Sequence, residues 1–181
     1  MFLEILYEKW ISIVGVLLSY ILIFLIIKRK INIKSPFIFA FIITIFYIIK
    51  FSIFGLDDRI NGDLINAYYP MTQDLLNGIN PYAVPIPESI PYAGGVLWII
   101  ILTIPLFFWN NIIVDAFFIA IIYMISVIMF YKLSVMIGNE EETSIISTQI
   151  FSLIPLTWFN VRYANDDIFI LTLSNYFYKI V

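Results

Sequence analysis

The sequence predicts an all-α fold: a polytopic integral membrane helix bundle with short juxtamembrane helices in its first external loop. Three observations predict it. Of the 181 residues, 62% are apolar and 13% charged, against about 45–50% and about 25% in a soluble domain. Mean hydropathy is +0.97. A chain of this length cannot hide that much apolar surface in one water-facing core, so lipid is its main solvent. The apolar residues also fall in runs close to the ~20 residues that a spanning helix needs. A long acidic, proline-containing stretch separates these runs. The composition excludes a soluble enzyme, a coiled coil and a disordered chain. A net charge of −3 argues against nucleic acid as a partner. With no Cys or His, disulfides, thiolate chemistry, serine triads and most transition-metal sites are disfavoured. Acid–base work falls to Asp and Glu, helped by Tyr, Lys and Arg.

Residues 10–27 form the first expected span. Lys28, Arg29 and Lys30 follow it, and no small-residue cleavage site appears, so it does not read as a cleaved signal. Residues 36–55 form the second, with Pro36 in the first turn, where a helix tolerates it. The linker Lys28 to Lys34 holds four cations and no acid. That places it on the cytoplasmic side and puts the N-terminus and the segment after Gly55 outside.

Residues 56–94 read as an external loop carrying Asp57, Asp58, Asp63, Asp74 and Glu88. Within it, Asp63 to Asn77 reads as helical, divided at Pro70 and stopped by Gly78. Residues 95–109 are apolar but short and hold Pro105. They are read as interfacial or re-entrant. Residues 112–131 span and end at Lys132. Asp115, early in that span, is read as marking the external interface. Residues 143–159 span with a bend at Pro155, and residues 168–181 begin one more helix. The whole chain, 1–181, is one transmembrane domain. Trp10, Trp98, Trp109 and Trp158 fit interface belts. If 95–109 does not cross, Lys28, Arg29, Lys30, Lys34, Lys132 and Lys179 are all cytoplasmic, and both acidic regions face outside. If it crosses, the acidic regions lie on opposite faces. The charge rule favours the first arrangement.

The external loop carries an ordered string: Gly62-Asp63, Tyr68-Tyr69, Leu75-Leu76, Gly78-Ile79-Asn80-Pro81-Tyr82 and Pro91-Tyr92. A second acidic pair, Asp166-Asp167, follows within Arg162-Tyr163-Ala164-Asn165-Asp166-Asp167, about a hundred positions on. From about residue 36 onward this resembles the GT-C membrane glycosyltransferases, in particular the polyprenyl-phosphate-sugar-dependent, mannosyltransferase-like branch. Two features depart from the family. Pro91-Tyr92-Ala93-Gly94-Gly95 lacks a double proline, and such enzymes are usually two to three times longer. The expectation is therefore an amino-terminal part of such an enzyme.

The resemblance implies transfer of a sugar from a polyprenyl-phosphate donor to an acceptor hydroxyl at the outer face of the plasma membrane. The acceptor and the sugar are not fixed by it. The chemistry needs a carboxylate to take the acceptor proton, donors or cations to hold the departing phosphate, and an apolar groove for the lipid tail. Asp63 is the expected base, since it follows glycine and opens a short helix whose dipole favours a carboxylate. Asp166 or Asp167 would orient the acceptor or hold a divalent cation, a choice two acidic regions leave open. Arg59, Arg162 and Lys50 are the phosphate-clamp candidates. Tyr68, Tyr69, Tyr82 and Tyr92 would stack on sugar faces or sit at the interface. Asp57, Asp58, Asp74 and Glu88 read as solvated loop acids. Two rival readings remain: a non-catalytic subunit or truncated remnant of the fold, and a small transporter-like bundle. The second would need polar span residues such as Lys50, Ser134, Ser144, Ser147, Thr148, Gln149 and Ser152, which equally suit helix packing.

Overall fold

The structure is a computed structural model and describes residues 2–56, 64–82 and 96–163. All regular elements among these residues are helical. They are α1 (Phe2–Ile27), α2 (Ile38–Phe54), a π-helical turn (Leu64–Tyr68), α3 (Tyr69–Leu76), α4 (Val96–Leu106), α5 (Ile112–Met136), α6 (Glu141–Leu153) and α7 (Pro155–Tyr163). Among the described residues, α5 is the one helix long and apolar enough to cross a membrane by length and composition. Ile13–Ile27, Ile38–Phe54 and Leu97–Leu106 are shorter apolar stretches. The expected helix at 168–181 lies outside the described residues.

The ends of the helices follow local chemistry. Asn111 is extended and its side chain accepts from the Ile113 amide, capping α5. Gly78 has φ +75°, and the amides of Gly78 and Ile79 bond back to Leu75 and Asp74 at 3.1 and 2.9 Å. That is the glycine stop expected after α3. Arg29 takes the corresponding left-handed position after α1, with φ 51°. The helical stretch changes from a π turn to α3 just ahead of Pro70, close to the division the sequence suggested. Pro70 sits in the first turn of α3, where its missing N–H costs little. The wider π turn ahead of it takes up the change in pitch.

Pro155 does break its helix. Ile154 is extended, as the residue before a proline prefers. Proline cannot donate to Phe151, and the Thr157 hydroxyl supplies that bond instead, at 2.8 Å. Substitution of a side-chain hydroxyl for a lost backbone donor is how such breaks are tolerated away from water.

Contacts across the bundle fix the register. The rings of Phe37 and Tyr131 meet edge-on at 5.4 Å, and the Thr44 hydroxyl donates to the Ala120 carbonyl at 3.4 Å. α2 and α5 are therefore antiparallel. α6 returns along α5: Ser134 bonds Ser144 at 3.1 Å, Phe130 stacks on Phe151 at 4.3 Å, and the Tyr123 hydroxyl donates to the Ser152 carbonyl at 2.8 Å. Gln149 donates to the carbonyls of Ile33 and Ser35 at 2.8 and 2.9 Å. The Trp158 indole donates to Ser19 at 3.2 Å, joining α7 to α1. One end of the bundle thus gathers residues 28–35, Lys132 and Glu140–Glu142. There the exposed Arg29–Glu142 pair at 3.3 Å contributes little stability. The other end gathers the close of α2, the start of α5 and the close of α7.

The core is apolar, but it also takes in polar side chains, and many large apolar side chains face outward. Thr44, Thr103, Asp115, Ser126, Ser144, Thr148, Gln149 and Ser152 are buried, while Leu17, Leu18, Phe24, Phe41, Ile42 and Ile53 are exposed. Trp10 and Trp109 are exposed as belts require, but Trp98 and Trp158 are buried in the core. Tyr123 is fully buried, and its hydroxyl bond links α5 to Ser152, in the last turn of α6 ahead of the Pro155 break. We expect Tyr123→Phe to lower unfolding free energy in detergent by about 1 kcal/mol, read as a lower midpoint in a denaturant titration of the purified protein.

Candidate functional site

The end formed by the start of α5 is covered by α3 and α4. α4 has 11 residues, about 16 Å at the helical rise, against the ~30 Å of a hydrocarbon core. It packs on α3 through the edge-on pair of Tyr68 and Trp98, whose ring centres are 6.3 Å apart.

Asn110 joins α3 to the start of α5. Tyr69 donates its hydroxyl to the Asn110 side-chain oxygen at 3.2 Å, and Gln73 Nε2 donates to the same oxygen at 2.7 Å. Asn110 Nδ2 donates back to Gln73 Oε1 at 3.0 Å. Tyr69 and Gln73 are four apart on α3 and so share a face. One turn into α5, Asp115 has 0% exposure. Neither of its carboxyl oxygens has a hydrogen-bond partner among the described residues. Its neighbours Ala116 and Ile119 belong to the same core as Tyr68 and Trp98. The Tyr69 hydroxyl is held above its usual pKa, first by burial and then by the negative charge of Asp115. The carboxyl and the phenol are thus within electrostatic reach of each other.

A cavity of about 330 Å³ lies between the end of α3 and the start of α4. Gly78, Asn80, Pro81 and Tyr82 form one wall, and Ile99 and Ile100 the other. The Tyr82 amide donates to the Asn80 side chain at 3.0 Å, the local turn that Asn-Pro favours. Burial raises the Tyr82 hydroxyl pKa. A second cavity, of about 550 Å³, runs between α1 and α2. Its walls include Trp10, Leu18, Leu22, Ile42 and Phe46, with Trp158 at its base.

Of the residues singled out from the sequence, Asp63, Asp166, Asp167, Arg59 and Tyr92 lie outside the described residues. The described π turn begins at Leu64, the neighbour of Asp63. Arg162 stands in the last turn of α7, four residues ahead of Asp166. Lys50 is half-buried, one turn from the end of α2. Tyr68 is a core residue at 4% exposure, while Tyr69 and Tyr82 reach the site end. Asp115, expected at the external interface, is at that end of its helix but turned inward. Sequence reasoning did not single out Gln73 or Asn110. The signal for Asp115 was its place in an apolar span, where an ionisable residue is a functional candidate by default. Among the described residues no three acidic side chains converge on a place where a metal ion would sit.

No family model, curated protein or solved structure matches this chain.

Proposed function

We propose that this chain is a polytopic membrane protein that takes part in moving a sugar from a polyprenyl-phosphate donor to an acceptor hydroxyl at the outer face of the membrane. The observation that carries the reading is a convergence at one end of the bundle. The helical segment that directly follows Asp63, the Asn80-Pro81-Tyr82 turn and the close of α7, which leads toward Asp166 and Asp167, share that end. The apolar outer surface supports lipid as the solvent, since large apolar side chains facing out and polar ones buried among helices suit a hydrocarbon surround. The short α4 supports a segment that dips into the membrane without crossing, which leaves both acidic regions on one face. The apolar groove between α1 and α2 suits a lipid tail, and the exposed Tyr69–Gln73–Asn110 hydrogen-bond network suits sugar hydroxyls.

In this reading Asp63 takes the proton of the acceptor hydroxyl as that oxygen attacks the anomeric carbon. The bond from that carbon to the donor phosphate breaks, and the phosphate leaves with its electron pair. Lys50, Arg59 and Arg162 are the proposed holders of that phosphate, while Asp166 or Asp167 orients the acceptor. The direct test follows transfer from radiolabelled polyprenyl-phosphate sugars in membranes that carry the chain. Transfer no greater than in membranes lacking it would remove the proposal.

Topology gives an independent test. The chain has no cysteine, so single cysteines at Asp63, Asn139 and Asp166 report sidedness with an impermeant thiol reagent on intact cells. We expect labelling at 63 and 166 and none at 139. Labelling at 63 and 139 but not 166 would put the acidic regions on opposite faces and exclude a shared site.

A further inference from the structure

We infer that Asp115 is a further ligand-binding residue of this site, accepting hydrogen bonds from hydroxyls of the sugar headgroup. The inference rests on the transfer reading above and names the part of the ligand that Asp115 takes. A buried carboxyl without a hydrogen-bond partner is costly to keep. An apolar side chain of similar size would fill the same space without that cost. Retained polar groups of this kind are found where they meet a ligand or carry a proton.

The surroundings specify the class of ligand. Tyr69, Gln73 and Asn110 are neutral groups that both donate and accept, and they bond one another at the exposed rim beside Asp115. Each hydroxyl of a sugar also donates and accepts, so it can exchange with such a network bond for bond. The carboxyl adds two acceptor oxygens set one turn deeper, which a pair of neighbouring hydroxyls can satisfy. A metal cation would require more acidic groups, and among the described residues none gather there. In the present arrangement α3 is tied to the residue ahead of α5 through the Asn110 side chain, and Asp115 lies within electrostatic reach of Tyr69. Bonds at a wet rim are weak in net terms, so a ligand whose hydroxyls replace those of Tyr69, Gln73 and Asn110 can part these side chains and reach the carboxyl.

The test uses the purified full chain in lipid nanodiscs. The probes are tritiated polyprenyl-phosphate mannose, glucose and galactose, and the same polyprenyl phosphate without sugar. We expect the wild type to bind at least one sugar-bearing lipid about tenfold or more tighter than the bare phosphate. Asp115→Asn is expected to erase that preference and leave binding of the bare phosphate unchanged. Asp115→Leu, the second variant, is expected to lose the preference while its thermal midpoint equals or exceeds that of wild type, because no hydrogen bond is lost. Preference retained in Asp115→Asn would overturn the inference and leave the transfer reading standing. A midpoint below wild type in both variants would assign Asp115 a structural role and also overturn it. A wild type that prefers no sugar-bearing lipid would remove the transfer reading, and the inference with it.

Discussion

Asp63→Asn is expected to reduce sugar transfer by about two to four orders of magnitude, the usual contribution of a positioned general base. The substitution keeps the size and the hydrogen-bonding reach of the side chain. It removes the basic oxygen that would take the acceptor proton. The loss should therefore appear in kcat, with KM for the lipid donor near that of wild type. Asp63 precedes a π turn whose Leu64, Ala67 and Tyr68 are all buried. The segment that follows it is thus anchored in the core, and π turns recur at functional sites. Stability should be unchanged in Asp63→Asn, so the midpoint of thermal unfolding is the control. Asp57→Asn and Asp58→Asn, read as solvated loop acids, should leave the rate unchanged. Full transfer by Asp63→Asn in the radiolabel assay would move the base to another residue.

The contrast with Asp115 explains how much of this site was legible in the sequence. Stops and breaks were legible because they are local. Gly78 ends α3 and Pro155 breaks the return helix, each through the backbone chemistry of one residue. The shortness of α4 was legible from the length of its apolar run. The inward turn of Asp115 was not. In a lipid-facing helix both the buried and the exposed faces are apolar, so α5 carries no stripe to say which side packs. The same gap hid the burial of Trp98 and Trp158. A belt rule gives depth along the membrane normal and says nothing of the direction a ring faces. Tyr68 and Tyr69 look alike in sequence, yet neighbours on a helix point about 100° apart. One therefore enters the core against Trp98, and the other reaches Asn110. The partnership of Gln73 with Asn110 joins positions 37 apart, and neither residue has a local pattern that names the other.

Ala120→Leu is expected to cost about 3 kcal/mol of stability, the upper part of the usual range for overpacking. Ala40, Ala116 and Ala120 are each at 0% exposure. Ala116 and Ala120 are four apart on α5 and so share a face, the small-residue spacing that lets membrane helices approach closely. The approach is close enough for the Thr44 hydroxyl on α2 to reach the Ala120 carbonyl. In the proposed lipid surround there is no hydrophobic force between helices, so the seam would hold by contact alone. A leucine at 120 adds three carbons where the neighbouring helix already lies, and α2 must move away. Ile121 is 46% exposed, so Ile121→Leu should leave the unfolding midpoint in detergent unchanged. That comparison separates crowding at the seam from a general effect of leucine on α5. A wild-type midpoint in Ala120→Leu would mean that α2 and α5 do not meet along this face. The consequence extends to the site, because α2 carries Lys50 and leads toward Asp63, while α5 carries Asp115. Ala120→Leu should therefore lower both stability and transfer, whereas Asp63→Asn should lower transfer alone.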